Sequence, residues 1–248
     1  MRNIAITGSE GFIGTHLQRA LKALYGTQGG KYARIECIDI KKGGDILDTR
    51  LQPDTEVIFH LAAQTSVQDS VANPVHDAMT NIAGTLKVLL DNPTAKVLIT
   101  ASGAAKEPKS PYGISKLAQE LYAQVIHSNA VVLRLPNIFG EDDHGVVGRY
   151  LREPQATVYG DGEQTRDFVH VDDIAQALIQ AMDWPAGVYE CGTGHSHRIL
   201  DLARATDKEI RYKDALPGEI NLTSMANTTP NWKPTIDVIE FIKTYAKS

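Results

Sequence analysis

The segment SPYGISK, residues 110–116, sets Tyr112 and Lys116 four positions apart. On a helix that spacing puts both side chains on one face. A free phenol titrates near 10 and is a poor base at neutral pH. A cation a few ångströms away favours the phenolate and lowers that value. The pair could therefore take a proton from a hydroxyl. Read alone, it is equally an ordinary helix start, with Pro111 in its first turn and a lysine lying along the surface. Upstream, Ser102 ends the stretch that begins KVLIT and is placed to hydrogen-bond the same substrate oxygen.

A second cluster has a different chemistry. TGSEGFIG, residues 7–14, spaces Gly8, Gly11 and Gly14 as G-x-x-G-x-x-G between an apolar run and a helical pattern. The first glycine permits a tight turn, the second lets backbone approach a pyrophosphate, and the third lets helix pack on strand. The helix N-terminus then offers free N–H groups to phosphate. Asp39 ends the next apolar run. A carboxylate there accepts hydrogen bonds from both hydroxyls of an adenosine ribose and repels a 2′-phosphate, which favours NAD over NADP.

Elements of a particular kind must hold these groups. Apolar runs at 3–8, 34–40, 56–62, 96–100 and 130–136 are rich in Ile and Val and lack polar alternation. Strands buried on both faces of a parallel sheet have this composition. Helix-like stretches at 11–25, 74–91 and 111–128 lie between them. The order predicts an α/β fold: a Rossmann-like, doubly wound parallel sheet with right-handed crossovers. After about residue 140 glycine and charge increase, and short strands are expected at 156–160 and 187–192, with a helix at 171–184. We divide the chain into residues 1–140, a NAD-binding domain, and residues 141–248. The latter form a small C-terminal α/β substrate lobe interleaved with the end of the sheet.

Bulk properties exclude other classes. The chain has 248 residues, 42% of them hydrophobic, and a net charge of −5 with no basic block, so a nucleic-acid groove is not expected. No apolar run reaches the roughly 20 residues of a membrane span. The start, MRNIAITGSEG, does not read as a signal peptide. Cys37 and Cys191 sit in apolar runs as free thiols, which suits a reducing, cytoplasmic setting. His195 and His197 flank Ser196 without an evident third ligand, so no metal is expected. His60, at a strand end, reads as a packed or hydrogen-bonded residue.

In order along the chain stand TGSEGFIG (7–14), GDILD (44–48), HLAAQTSV (60–67), NIAGT (81–85), TAS (100–102), YGISK (112–116), RLPNIFG (134–140) and DGEQTRDFVHVDDIA (161–175). With these landmarks the chain resembles the NAD-dependent epimerase/dehydratase family of extended short-chain dehydrogenase/reductases, in a pattern nearest to its nucleotide-sugar 4-epimerases. The resemblance implies Ser102, Tyr112 and Lys116 as the catalytic set. It implies a cofactor site built from Gly8, Gly11, Phe12, Ile13, Gly14, Asp39, Ile40, Thr100, Tyr112 and Lys116. Asp45 and Ile46 would meet the adenine. Leu61, Ala62 and Ala63 would line the pyrophosphate and ribose, with Asn81 steadying that wall. Pro136 and Ile138 would lie near the nicotinamide. Ser102 would touch the sugar, and Asn137 and Arg166 the diphosphate of a nucleotide-diphosphate sugar. A homodimer through helices 74–91 and 111–128 is implied as well.

Departures from the family pattern narrow the reaction. The segment between Ser102 and Tyr112 is short, as is that between Asp39 and Asp45. Gly103 and Ala104 follow Ser102 where 4,6-dehydratases of the family carry an Asp-Glu pair, so elimination lacks its acid. The segment DALPGEI (214–220) lacks an arginine that many relatives carry. A UDP-hexose 4-epimerase is the expectation. A NAD(P)H-dependent reductase of nucleotide-linked 4-keto-6-deoxysugars and a non-catalytic cofactor-binding module are the alternatives.

Overall fold

A computed structural model describes residues 2–26, 34–215 and 224–246. The chain forms two compact units, one of Met1–Leu135 with Ala175–Tyr189, the other of Pro136–Ile174 with Glu190–Ser248.

In the first unit, β1 (Ile4–Thr7), β2 (Ile35–Ile38), β3 (Val57–His60), β4 (Lys96–Ser102) and β5 (Ala130–Leu135) lie in the order β2-β1-β3-β4-β5. All four pairings among them are parallel. The strand Gly187–Glu190 adds a sixth member beside β5. GVYE was expected among the strands of the smaller lobe; it joins the main sheet instead. Strands β1 and β3 are buried at every position, as a run without polar alternation requires. Helix α1 (Phe12–Gly26) follows β1. Next in the chain come α2 (Val67–Ala72), α3 (Pro74–Ala78), α4 (Gly84–Asp91) and α5 (Pro111–Ile126). Val88, Leu89, Val97, Ile99, Ala123 and Val132 pack in one apolar cluster between sheet and helices.

The register matters for chemistry. Thr7 pairs with His60, His60 with Ile99, and Ser102 with Leu135. The carboxyl ends of β1 and β3 are thus level with Ile99, and β4 runs three residues further to Ser102, all along the edge where open α/β folds bind ligands. Helix 74–91 is not continuous. A π-helical turn, Met79–Ala83, joins α3 to α4 and contains the fully buried Asn81. Such turns occur often at functional sites.

The second unit is built from two-stranded pairings. Asn137–Phe139 runs parallel to Phe168–His170, and Ala156–Tyr159 parallel to Ile210–Lys213. Thr165–Arg166 pairs antiparallel with His197–Arg198. Its core gathers Phe139, Tyr150, Val158, Phe168, Leu202 and Phe241. Phe139 meets the rings of Phe168 and Phe241 edge-on, at 6.5 and 5.2 Å. Among the described residues no helix is long and apolar enough to cross a membrane.

Candidate active site

Helix α5 starts with Ser110, whose side chain accepts a hydrogen bond from Gly113 N at 3.1 Å, and with Pro111 in its first turn. Both are strong helix-start signals. Gly113 lets the short segment before it pack closely, since a Cβ there would lie 3.0 Å from Ala104 O and 3.1 Å from Pro108 Cα. The backbone N–H of Tyr112 donates to Ser70 Oγ of α2 at 3.1 Å. These contacts fix Tyr112 largely buried and Lys116 fully so, with the lysine Nζ 5.9 Å from the tyrosine ring centroid. Lys116 Nζ donates to Thr100 O at 3.1 Å. The Ser102 side chain lies near enough to the Tyr112 phenol to favour its phenolate, while its Oγ accepts from Ala104 N at 3.2 Å. Ser102, Tyr112, Lys116 and Thr100 are therefore brought together.

Their electrostatics differ from the simplest expectation. Burial raises the Tyr112 phenol above its ordinary value; the nearby Ser102 hydroxyl opposes that and the charge of Asp77 adds to it. Burial pushes the lysine down to about 8, against the pull of Asp77 and Glu120. The free chain holds a neutral phenol beside a buried ammonium, and further positive charge nearby would favour the phenolate.

The glycine loop fits a dinucleotide. Gly8 has φ +71°, and a Cβ there would fall 2.6 Å from Ala62 N. A Cβ on Gly14 would fall 2.3 Å from Gly8 O and 2.7 Å from Ser9 O. On Gly11 it would meet only Gly8 O, at 3.1 Å, which leaves that side open for phosphate. Phe12 and Ile13 begin α1. Asp39 is buried, and its two oxygens accept from Glu10 N at 2.8 Å and Lys41 N at 2.9 Å. Each oxygen keeps a second lone pair for a ribose hydroxyl. Ile40 beside it is exposed. Asp45 caps its own turn by accepting from Leu47 N at 2.9 Å, and Ile46 is buried where a Cβ on Gly84 would touch it. Leu61, Ala62 and Ala63 leave β3 partly exposed, alongside Gly8. These residues suit NAD.

Behind them runs a buried polar network. His60 lies between Thr7 Oγ1, 2.8 Å from Nδ1, and Thr85 Oγ1, 2.9 Å from Nε2. Thr85 gives its hydroxyl proton to Asn81 O at 2.7 Å and accepts from Gln119 Nε2. Thr85 must then accept from His60, which assigns the proton to Nε2 and leaves Nδ1 to accept from Thr7. Burial, with the Lys116 charge second, pushes His60 down to about 3. A histidine so depressed binds its proton less tightly folded than unfolded. Stability should fall as pH drops from the ordinary 6.5 towards 3, by about 5 kcal/mol in all. A chemical denaturation series across that range checks this; His60→Gln should flatten the slope. Neither Thr85 nor Gln119 was singled out from sequence, although polar residues at helix-inward positions are the available signal.

Asn81 is the hub of this network. Its Oδ1 accepts from Gln64 N at 2.9 Å, and its Nδ2 faces Gln64 O, Asp77 Oδ1 and Ser115 Oγ at 3.1, 3.1 and 3.0 Å. The wall residues 61–64 are thereby tied to α5.

Pro136, Asn137, Ile138 and Arg166 belong to the second unit. Asn137 Nδ2 donates to Asp167 O at 3.2 Å, and Arg166 Nη1 to Thr165 O at 2.8 Å. Among the described residues no His, Cys, Asp and Glu group could hold a metal. Cys37 and Cys191 are free, and burial pushes Cys191 up to about 12. In the segment lacking the family arginine, residues 216–220 lie outside the described residues.

Comparison with known proteins gives a consistent result. Residues 4–192 match the NAD dependent epimerase/dehydratase family. A Methanocaldococcus jannaschii relative with a provisional UDP-glucose 4-epimerase name is 30% identical over 292 aligned positions, covering 97% of this chain and 96% of its own. That alignment is longer than the chain, so the relative carries segments absent here. The UDP-glucose 4-epimerase of Thermotoga maritima, solved with UDP-glucose, superposes with TM-score 0.82 at 28% identity, covering 99% of this chain and 97% of its own. The UDP-N-acetylglucosamine 4-epimerase of Methanobrevibacter ruminantium gives 0.82 at 27% identity, with the same coverage. The glycine loop, the buried Asp39 and the grouped Ser102, Tyr112 and Lys116 sit in a chain that belongs to the NAD dependent epimerase/dehydratase family, with NAD as its cofactor.

Proposed function

We propose that this protein is a UDP-hexose 4-epimerase that keeps NAD bound throughout its cycle. The observation that carries the reading is the grouping of Ser102 and Tyr112 with the buried Lys116, with Gly103 and Ala104 directly after Ser102 where an eliminating enzyme needs an acid. Bound NAD supplies a hydride acceptor and later donor, and its positive charge adds to that of Lys116. Tyr112 Oη takes the proton of the sugar C4 hydroxyl as the C4 hydride departs, which leaves a 4-keto sugar. After the sugar turns over, hydride returns to the opposite face and Tyr112 gives the proton back. Ser102 holds the C4 oxygen in line. We assign the adenosine to Asp39, Ile40, Asp45 and Ile46, the pyrophosphate to the glycine loop and 61–63, and the nicotinamide side to Thr100, Pro136 and Ile138. We assign the substrate diphosphate to Asn137 and Arg166 of the second unit, the substrate-binding one. The two 4-epimerases of similar fold support this choice of reaction.

Purified protein incubated with UDP-glucose, without added cofactor, should form UDP-galactose. If neither this pair nor its N-acetyl analogues interconvert, the reading fails; consumption of added NAD(P)H with a nucleotide-linked keto sugar would replace it with the reductase.

The enzyme should also be a homodimer. Val71 of α2, Val75 of α3, and Ile114, Leu121 and Val125 of α5 are 63%, 71%, 58%, 54% and 82% exposed. These three helices pack on one another, so their outer side chains form an apolar face suited to a second copy. Light scattering should give twice the 27.1 kDa chain mass, and Val125→Lys should shift it towards one.

A further inference from the structure

The buried network contains a carboxylate on α3, that of Asp77, which is 1% exposed. Its Oδ1 accepts from Asn81 Nδ2 at 3.1 Å, and its Oδ2 has no hydrogen-bond partner. A buried charge with an unbonded oxygen is costly unless an opposite charge compensates it. The same Asn81 amide faces Ser115 Oγ, which donates to Tyr112 O at 3.0 Å. Asp77 is therefore fixed against the turn of α5 that carries Tyr112 and Lys116.

The surrounding charges single it out. Glu120, one turn beyond Lys116, has both oxygens engaged by Arg134 of β5, at 2.6–3.0 Å, so its charge is already answered. His60 of β3 is held neutral by its two threonines. Asp69 of α2 and His76 of α3 are exposed, as are Lys106, Glu107 and Lys109 before α5. Lys87 and Asp91 of α4 pair with each other, and Lys96 of β4 donates to Trp184 O. Among these described groups around α5, Lys116 and Asp77 remain as the buried cation and anion without a charged hydrogen-bond partner.

We propose that Asp77 is a positioning residue for Lys116: its carboxylate, anchored by Asn81 behind the tyrosine–lysine face, keeps the lysine an ammonium at neutral pH. Desolvation favours the neutral amine of Lys116, and the Asp77 charge is the largest influence opposing it. The same charge leaves less of Tyr112 as phenolate in the free chain. Asp77 thus trades some population of the phenolate for an ammonium beside it.

The inference rests in part on the epimerase reading, so it is tested by two measurements, one independent of turnover. Asp77 favours the proton on both groups; its removal lowers both pKa values. In Asp77→Asn both limbs of the pH–rate profile should move to lower pH by about one unit, a tenfold change in proton concentration. Asp77→Glu should keep the position of the profile even if the rate falls. Independently, the phenolate absorbance of Tyr112, isolated by subtracting the matching Tyr112→Phe variant, should appear at lower pH in Asp77→Asn. If Asp77→Asn does not fold, Asp77→Ser removes the charge with less bulk. A uniform loss of rate with an unmoved profile and an unmoved phenolate titration would show that Asp77 merely packs, and would overturn the proposal. If no sugar is interconverted but the phenolate titration moves, the epimerase reading fails and the role of Asp77 stands.

Discussion

Tyr112→Phe should lower turnover by roughly 10²- to 10⁴-fold, the usual contribution of one positioned acid–base group. Phenylalanine keeps the ring that packs beside Lys116 and loses only the oxygen that exchanges a proton with the substrate. The side chain is largely buried, with Ser102 as its polar neighbour. Losing one such polar contact costs about 1 kcal/mol, so the melting temperature should shift by only about 2–4 °C. The NAD content of the purified protein should be unchanged. Initial rates with UDP-glucose, read beside a thermal melt and a cofactor assay, separate this outcome from misfolding. A variant within a factor of two of the parent would remove Tyr112 from the chemistry.

Lys116→Met should abolish activity and stabilise the fold. The lysine is 3% exposed, and burial lowers it from 10.5 to about 8. At pH 7 the folded chain holds an ammonium it binds less tightly than the unfolded chain does, a cost of about 3 kcal/mol. Methionine has a similar length and no charge. Cofactor-free Lys116→Met should therefore melt roughly 6–12 °C higher than the parent at pH 7. The parent should gain stability as pH rises from about 8 towards 10.5, and the variant should not. Melts at both ends of that range test the sign. A variant less stable than the parent at pH 7 would mean that the bond to Thr100 O outweighs desolvation. A stabilised, inactive variant is what a site held under strain for function predicts.

Much of this was legible in sequence because the signals are local. Buried parallel strands announce themselves as unbroken Ile and Val runs, and a strand–glycine–helix junction has few alternatives at close quarters. The glycine loop, Asp39 and the Tyr112–Lys116 face needed only spacing. GVYE could not be placed, because a short strand carries no signal saying which sheet it joins; its partner β5 is more than 50 residues away. The direction of the Tyr112 shift was also hidden. It depends on how deeply the phenol is set and on a carboxylate from another helix, both of which arise from packing. His60 read correctly as hydrogen-bonded, yet its tautomer follows only from tracing donors through Thr85 to Asn81.

The π-helical turn has a consequence for the phase of the helix around it. Asp77, Asn81, Thr85 and Leu89 all point inward and recur at every fourth residue. An unbroken α-helix turns about 100° per residue, so a four-residue repeat drifts about 40° at each step, and about 120° over three steps. By Leu89 the inward stripe would have rotated towards solvent. One surplus residue, taken up between Met79 and Ala83, cancels nearly all of that drift. The helix can therefore keep a polar rung at its start and an apolar one at its end on the same line. Deleting a single residue such as Ala83 would straighten the helix and turn everything before or after it by about a quarter-turn, swinging Asn81 or Leu89 out of register. Tolerance to deletion should therefore be low anywhere within Met79–Ala83.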